Sequence, residues 1–229
     1  MPWGFWTPPG SKPFRGADRA LSGKLKRPWA PPARVRLFLL FAAALWVLIP
    51  AFAANALATF SRRKGPRMDL GRTWPWDGRA ILGRSKTWLG FLLGGALGGC
   101  VGLLQAWLIL LAPPDLQVVP RFGPTLLASV APVLTLTFGA MVGDAVGSFL
   151  KRRQGLSSSA PAPLLDQWPL LLVPIALLAV LFPGLFYSAF WPALAPGLLT
   201  LGWVLVVTLF LHTAFNWLGY LMRLKDVPW

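Results

Sequence analysis

The sequence predicts an all-α, polytopic membrane protein with about five transmembrane helices. Three observations lead there. The 229 residues are 55% hydrophobic with a mean hydropathy of +0.59 and only 13% charged, far from an ordinary soluble domain. The apolar residues fall into five runs, each near the roughly 20 residues needed to cross a bilayer. The charges flank the runs, except Asp144 in the last turns of the third, and cations dominate: 22 Lys and Arg stand against 7 acidic residues, all of them Asp. A balance of +15 also suits nucleic acid, but there is no zinc-finger spacing and no aromatic-basic RNA motif. Contact with anionic lipid head groups under the positive-inside bias accounts for the charge, and no nucleic-acid partner is expected. Cys100, the single cysteine, lies inside an apolar run, which excludes an internal disulfide and a multi-cysteine metal site.

In chain order, residues 1–36 hold Trp3, Trp6, Trp29, several prolines and eight cations without a helical period, and read as a disordered or interfacial basic arm. The first span is expected over Leu37–Phe60, kinked at Pro50. A cleaved signal peptide ending near Ala51-Phe52-Ala53 is the competing reading, opposed by the length of the arm and by the apolar run continuing past that point. Ser61–Thr87 carries eight cations with Asp69 and Asp77, and a short loop so rich in cations stays cytoplasmic. The second span, Trp88–Ala112, has Gly90, Gly94, Gly98 and Gly102 at four-residue spacing beside Gly95 and Gly99. Pro113–Pro124 is a short outer loop. The third span, Thr125–Leu150, has its own row at Gly139, Gly143 and Gly147, so the two glycine-lined faces are expected to meet. Lys151–Trp168 returns to the cytoplasm, the fourth span is expected over Pro169–Trp191, and the fifth over Gly197–Met222. This arrangement puts the N-terminus outside, against the charge of the arm. Either the eight cations of the next loop overrule it, or translation starts later, near Val35 or Leu37.

The chemistry concentrates in Gly143–Gln167. Ionisable groups inside a membrane are costly and usually functional. On a helix, Asp144, Ser148 and Lys151 lie at i, i+4 and i+7, so an acid, a hydroxyl and a cation share one stripe that could hold a metal and a phosphate together. The bland alternative pairs Asp144 with Lys151 or Arg152. Asp166 follows a Ser/Pro turn and is either a second ligand or the N-cap of the fourth span. By side, Asp69, Asp77, Asp144, Asp166 and Asp226 are cytoplasmic, Asp115 is outer and Asp18 belongs to the arm. Five acids among cations in one compartment suit a metal-bound polyphosphate, because Mg²⁺ takes one or two carboxylates, water and phosphate oxygens. Lys86 and Thr87 begin the second span, where the helix dipole and free amides favour phosphate, although the Walker spacing is absent. His212 and Asn216 stand at i, i+4 on the last span, either as an interhelical hydrogen bond or as a contact to substrate.

Five ordered motifs carry a resemblance: Asp77-Gly78-Arg79 with Leu82-Gly83 and Lys86-Thr87-Trp88; Gly143-Asp144 with Gly147-Ser148-Phe149 and Lys151-Arg152; Ala160-Pro161 with Pro163-Leu164-Leu165-Asp166-Gln167; His212 with Asn216; and Lys225-Asp226-Val227-Pro228-Trp229. Over about Phe38–Trp229 they resemble CDP-archaeol synthase, a family in the same superfamily as phosphatidate cytidylyltransferase. The resemblance implies that residues 37–229 form a five-span cytidylyltransferase domain in the cell membrane, with a cytoplasmic active site. It implies that the enzyme joins CTP to an unsaturated archaeal ether-lipid phosphate, with Mg²⁺, and releases pyrophosphate. It assigns Asp144 and Asp166 to Mg²⁺ and to catalysis with Lys151, while Lys86, Thr87, Ser148, Arg152, Asp77, Arg79, His212 and Asn216 contact substrates. Two departures stand out: Arg84 occupies a position where an acid or small polar residue is expected, and Leu89 replaces an Arg, with Arg79 or Arg84 as possible substitutes. Alternatives are a cytidylyltransferase for another lipid phosphate such as phosphatidate, and a non-catalytic small transporter or scaffold.

Overall fold

The computed structural model describes residues 32–61, 64–113, 119–157 and 160–223, with only the backbone of His212 and Phe215. Most of the basic arm, Asp115 and the Lys225–Trp229 motif lie outside the described residues. The chain divides into two units, Met1–Arg36 and Leu37–Trp229. Six α-helices follow one another: α1 Ala33–Ala58, α2 Trp88–Leu111, α3 Leu126–Arg153, α4 Pro163–Leu181, α5 Pro183–Ala189 and α6 Leu194–Leu221. All but α5 are long and apolar enough to cross a membrane, and no strand is present among the described residues. The protein is therefore an all-α, multi-pass membrane protein.

Local chemistry sets the helix limits. Thr87 caps α2 by accepting the Gly90 N–H at 3.1 Å, and Thr125 caps α3 by accepting the Ala128 N–H at 3.1 Å. At its other end α3 runs on through Lys151, Arg152 and Arg153, cations that favour the negative pole of the helix. It stops where Gly155 takes φ +76°, with the Gly155 N–H on Arg152 O and the Leu156 N–H on Lys151 O, the doubly bonded glycine stop. Pro50 lies within α1 and is buried, and the helix continues past it to Ala58.

The fourth span departs most from expectation. The helix starts at Pro163 rather than Pro169 and ends at Leu181, and residues up to Ala189 form the separate helix α5. Pro163 sits at the first helical position, where its fixed φ and missing N–H cost nothing. Pro183 has no N–H to continue the ladder and disfavours helical geometry at Phe182, which takes φ −135°, ψ 61°. Asp166 consequently lies inside the first turns of α4, and the N-cap is Ala162.

The two glycine rows do not face each other. On α2, a Cβ at Gly94 or Gly98 would lie within 3 Å of Ala54 on α1, whereas one at Gly95 or Gly102 would meet Phe138 or Val133 on α3. On α3 the row faces α4 instead: a Cβ at Gly143 or Gly147 would lie 2.1 Å from the carbonyl oxygens of Pro169 or Leu165, and one at Gly139 would lie 3.0 Å from Pro174. The contact of α3 with α4 is extensive. The core gathers Val47 and Leu48 from α1, Leu136 from α3, Leu171 and Leu178 from α4, and Val204 from α6. Leu127, Val180 and Phe210 instead point outward, 72–84% exposed, as lipid-facing side chains do.

Replacing Gly147 by Ala forces the backbones of α3 and α4 apart, because the obstacle is a carbonyl oxygen and not a movable side chain. The expected cost is roughly 1–3 kcal/mol, the usual penalty of overpacking. Thermal unfolding of the detergent-solubilised variant checks this, with Gly202→Ala, whose Cβ has open space, as the control that should leave the midpoint unchanged.

Candidate functional site

The glycine-lined contact brings the start of α4 beside the end of α3, and charged side chains meet there. Lys151, at 5% exposure, donates from Nζ to both Asp166 carboxylate oxygens at 2.9 and 3.0 Å and to Ala160 O at 2.7 Å. The Asp166 carboxylate also accepts the Ala162 N–H at 3.3 Å, which fixes it over the first turn of α4. Asp144 stands seven positions before Lys151, about 10 Å along α3 at 1.5 Å per residue. It pairs with Lys86, which directly precedes the capping residue of α2. Both alternative partners considered for Asp144, Lys151 and Arg152, are thus replaced by a cation from another segment. Arg152 and Ser148 are buried on α3. The buried Nε of Arg152 has no hydrogen-bond partner.

The segment carrying Lys86 is a compact folded loop. Met68 N–H donates to Lys86 O and Trp88 N–H to Pro66 O, both at 3.0 Å, while Trp74 N–H donates to Arg79 O at 2.7 Å. At its centre Asp69, with no side-chain exposure, accepts the amides of Gly71, Leu82 and Gly83 at 2.9–3.1 Å and faces Arg67. Burial opposes its ionisation, but the Gly83, Gly71 and Leu82 amides and the Arg67 guanidinium outweigh it and hold its carboxyl below the ordinary 3.8. Asp69, a carboxylate the sequence placed among the cytoplasmic acids, is the anchor of the loop.

Among the other expected site residues, Thr87 is 3% exposed and its hydroxyl is engaged in the cap. Asp77 and Arg79 are both engaged by Arg153: its guanidinium donates to Asp77 Oδ1 at 2.6 Å, and Arg79 donates back to Arg153 O at 2.6 Å. Asn216 is buried on α6. The side chain of His212 lies outside the described residues. Leu89 is 43% exposed and rests against Gly65, and Arg84 is exposed.

Sequence reasoning passed over two residues. Gln167 is 3% exposed and its Oε1 is buried without a hydrogen-bond donor. Its place directly after Asp166, in a polar pair at the head of an apolar helix, was the available signal. Arg153 was overlooked because only its turn on the helix separates it from Lys151 and Arg152. No cluster of three or more His, Cys, Asp or Glu exists among the described residues. The carboxylates of Asp144 and Asp166 are oxygen donors of the kind a hard divalent cation takes, with water and phosphate oxygens completing its shell. Each carboxylate already holds one positive charge, an ammonium, and Gln167 offers a third oxygen with its acceptor capacity unused.

A helical membrane bundle that gathers carboxylates, lysines and arginine at one end of two tightly joined helices defines a multi-pass membrane protein with a site suited to phosphate chemistry. The family model described as CarS-like, CDP-archaeol synthase, matches residues 37–229. The CDP-archaeol synthase of Pyrococcus furiosus is 37% identical over 186 residues, covering 81% of this chain and 96% of that protein. Its counterpart from Methanosarcina mazei is 36% identical over 183 residues, covering 80% of this chain and all of the relative. A solved structure described as an intramembrane enzyme for archaeal membrane lipids biosynthesis superposes with a TM-score of 0.54 at 31% identity, covering 76% of this chain and 92% of that one. The chain belongs to the CDP-archaeol synthase family, and it is an enzyme, a transferase embedded in the membrane.

The sign of the Asp69 shift gives a pH dependence. Because its folded value is depressed, Asp69 contributes stability that is fully present above 3.8 and is lost as pH falls through the lower folded value. Protection of the Leu82 and Gly83 amides, measured against their intrinsic exchange rates at each pH, should therefore fall on acidification of the native protein, and Asp69→Asn should lower that protection throughout and remove its pH dependence.

Proposed function

We propose that the chain is a CTP-dependent cytidylyltransferase that joins CMP to 2,3-bis-O-geranylgeranylglycerol 1-phosphate, giving CDP-archaeol and pyrophosphate, with Mg²⁺ as cofactor. The observation that carries the reading is the convergence of two lysine–aspartate pairs, Lys86–Asp144 and Lys151–Asp166, at one end of the bundle of a CDP-archaeol synthase family member. Such a site faces the cytoplasm of the cell membrane if the cation-rich loop stays inside, as the positive-inside bias expects.

The chemistry needs no general base. A lipid phosphate oxygen is ionised at neutral pH; it bonds to the α-phosphorus of CTP while the bond from that phosphorus to the β-phosphate oxygen breaks and pyrophosphate leaves. The obstacles are repulsion between two anions and alignment of the attacking oxygen, so positioning and charge neutralisation supply the catalysis. Lys86, Lys151 and Arg152 bind and orient phosphate oxygens, Ser148 adds a hydrogen bond beside them, and Thr87 holds the helix start that presents Lys86. Asp144 and Asp166 hold the Mg²⁺, which when bound neutralises charge on the phosphates. His212 and Asn216 contact the nucleotide or the lipid head group from α6. Asp77 and Arg79 serve the site through the loop that carries Lys86.

Purified protein given labelled CTP, Mg²⁺ and the ether-lipid phosphate should release pyrophosphate and form lipid-linked CMP, more slowly with phosphatidate. No lipid-linked CMP from either lipid overturns the reading. Asp144→Asn should abolish turnover, at least about 100-fold, with the helical circular-dichroism signal intact; a near-normal rate removes the role given to this carboxylate.

A further inference from the structure

We infer that Arg153 is a positioning residue, a clasp that holds the 64–87 loop on the end of α3 and thereby sets Lys86 against Asp144. The inference rests on the cytidylyltransferase reading for its catalytic consequence, and on contacts alone for the clasp. Of the three consecutive cations that end α3, Lys151 and Arg152 are buried, with Lys151 on Asp166, and Arg153 turns about 100° further round the helix toward the loop. Its guanidinium donates to Asp77 Oδ1 and Ala80 O, each at 2.6 Å, and reaches Arg79 O at 3.4 Å. The same planar group lies 4.9 Å from the Phe149 ring centroid and 5.6 Å from that of Trp74, whose rings meet edge to face. Arg79 closes the clasp in return, donating to Arg153 O at 2.6 Å, and its guanidinium passes beside Gly155.

The clasp is rigidly connected to Lys86. Between Ala80 and Lys86 the amides of Leu82 and Gly83 are fixed on Asp69, and the Lys86 carbonyl is fixed by Met68. The end of α3 is therefore tied to the ammonium that faces Asp144 on the same helix. The helix itself is held elsewhere, by its glycine contact with α4 and its own Gly155 stop. Losing the clasp frees the loop without releasing α3. Arginine is required because a fork of donors serves a carboxylate and a carbonyl at once, which a lysine point charge does not.

The test compares wild type, Arg153→Ala, Arg153→Lys and Asp77→Asn in detergent by thermal unfolding, amide exchange over residues 68–87, and steady-state kinetics against CTP. Arg153→Ala should lose exchange protection across the loop while α3 and α4 keep theirs, raise the KM for CTP and lower kcat/KM about 10- to 100-fold, since misplacing a binding group by about an ångström has that scale. Arg153→Lys should recover only part of this, and Asp77→Asn, which keeps the two carbonyl contacts, should fall between Arg153→Lys and wild type. Unchanged loop protection in Arg153→Ala overturns the clasp, whether or not the protein turns over. Loss of protection over α3 and α4 together with the loop, in both Arg153→Ala and Asp77→Asn, makes the contact merely structural and overturns it too. If wild type forms no lipid-linked CMP, the cytidylyltransferase reading fails and the exchange data alone decide the clasp.

Discussion

The structure depends on a bare contact between two helices. At Gly143 and Gly147 the surface of α3 has no side chains, and the backbone of α4 occupies the space that a Cβ would need. In lipid, where apolar side chains gain little by leaving one another for hydrocarbon tails, such close approach is a principal source of helix association. It also determines the site. With helices this near, Lys151 reaches Asp166 across the seam, and the polar ends of α3 and α4 form one surface. A side chain at either glycine would separate the acid on α4 from the lysine on α3 before any substrate arrived.

The class of fold was legible because the bilayer imposes it: five apolar runs of spanning length admit only helices once backbone polar groups must be satisfied internally. Partnership and limits were less legible. A row of glycines announces that something comes close but not what: α2 and α3 do pack together, yet the glycines of α2 meet side chains of α3 while the row on α3 meets α4. On α2, successive glycines serve α1 and α3 in turn. The start of α4 was misplaced because Pro169 looks like a helix opening when Pro163, six residues earlier, already provides one. Pro183 then ended the helix inside a run that hydropathy alone reads as continuous.

For the site, the stripe of Asp144, Ser148 and Lys151 was readable from helical periodicity, since it needs only that the third span remain helical to its basic end. The pairings were not, because Lys86 and Asp144 are 58 positions apart and meet through tertiary folding. The loop between the first two spans shows the limit most clearly. By composition it is a run of cations with two acids, yet Asp69 is consumed in ordering three amides and Asp77 in gripping Arg153. Only the fold separates carboxylates that build the scaffold from those left at the seam.

The two lysine–aspartate couples also set a rule of valence. At rest each couple is neutral in itself, while buried Arg152 and the further cations of the loop leave the polar end of the bundle positive. An anion entering by itself would draw the ammoniums away and strand two carboxylates; a cation entering by itself would strand two ammoniums. Anion and cation entering together leave each of these four groups with an opposite neighbour. In the proposed reaction the site thus takes up its anionic and cationic ligands together.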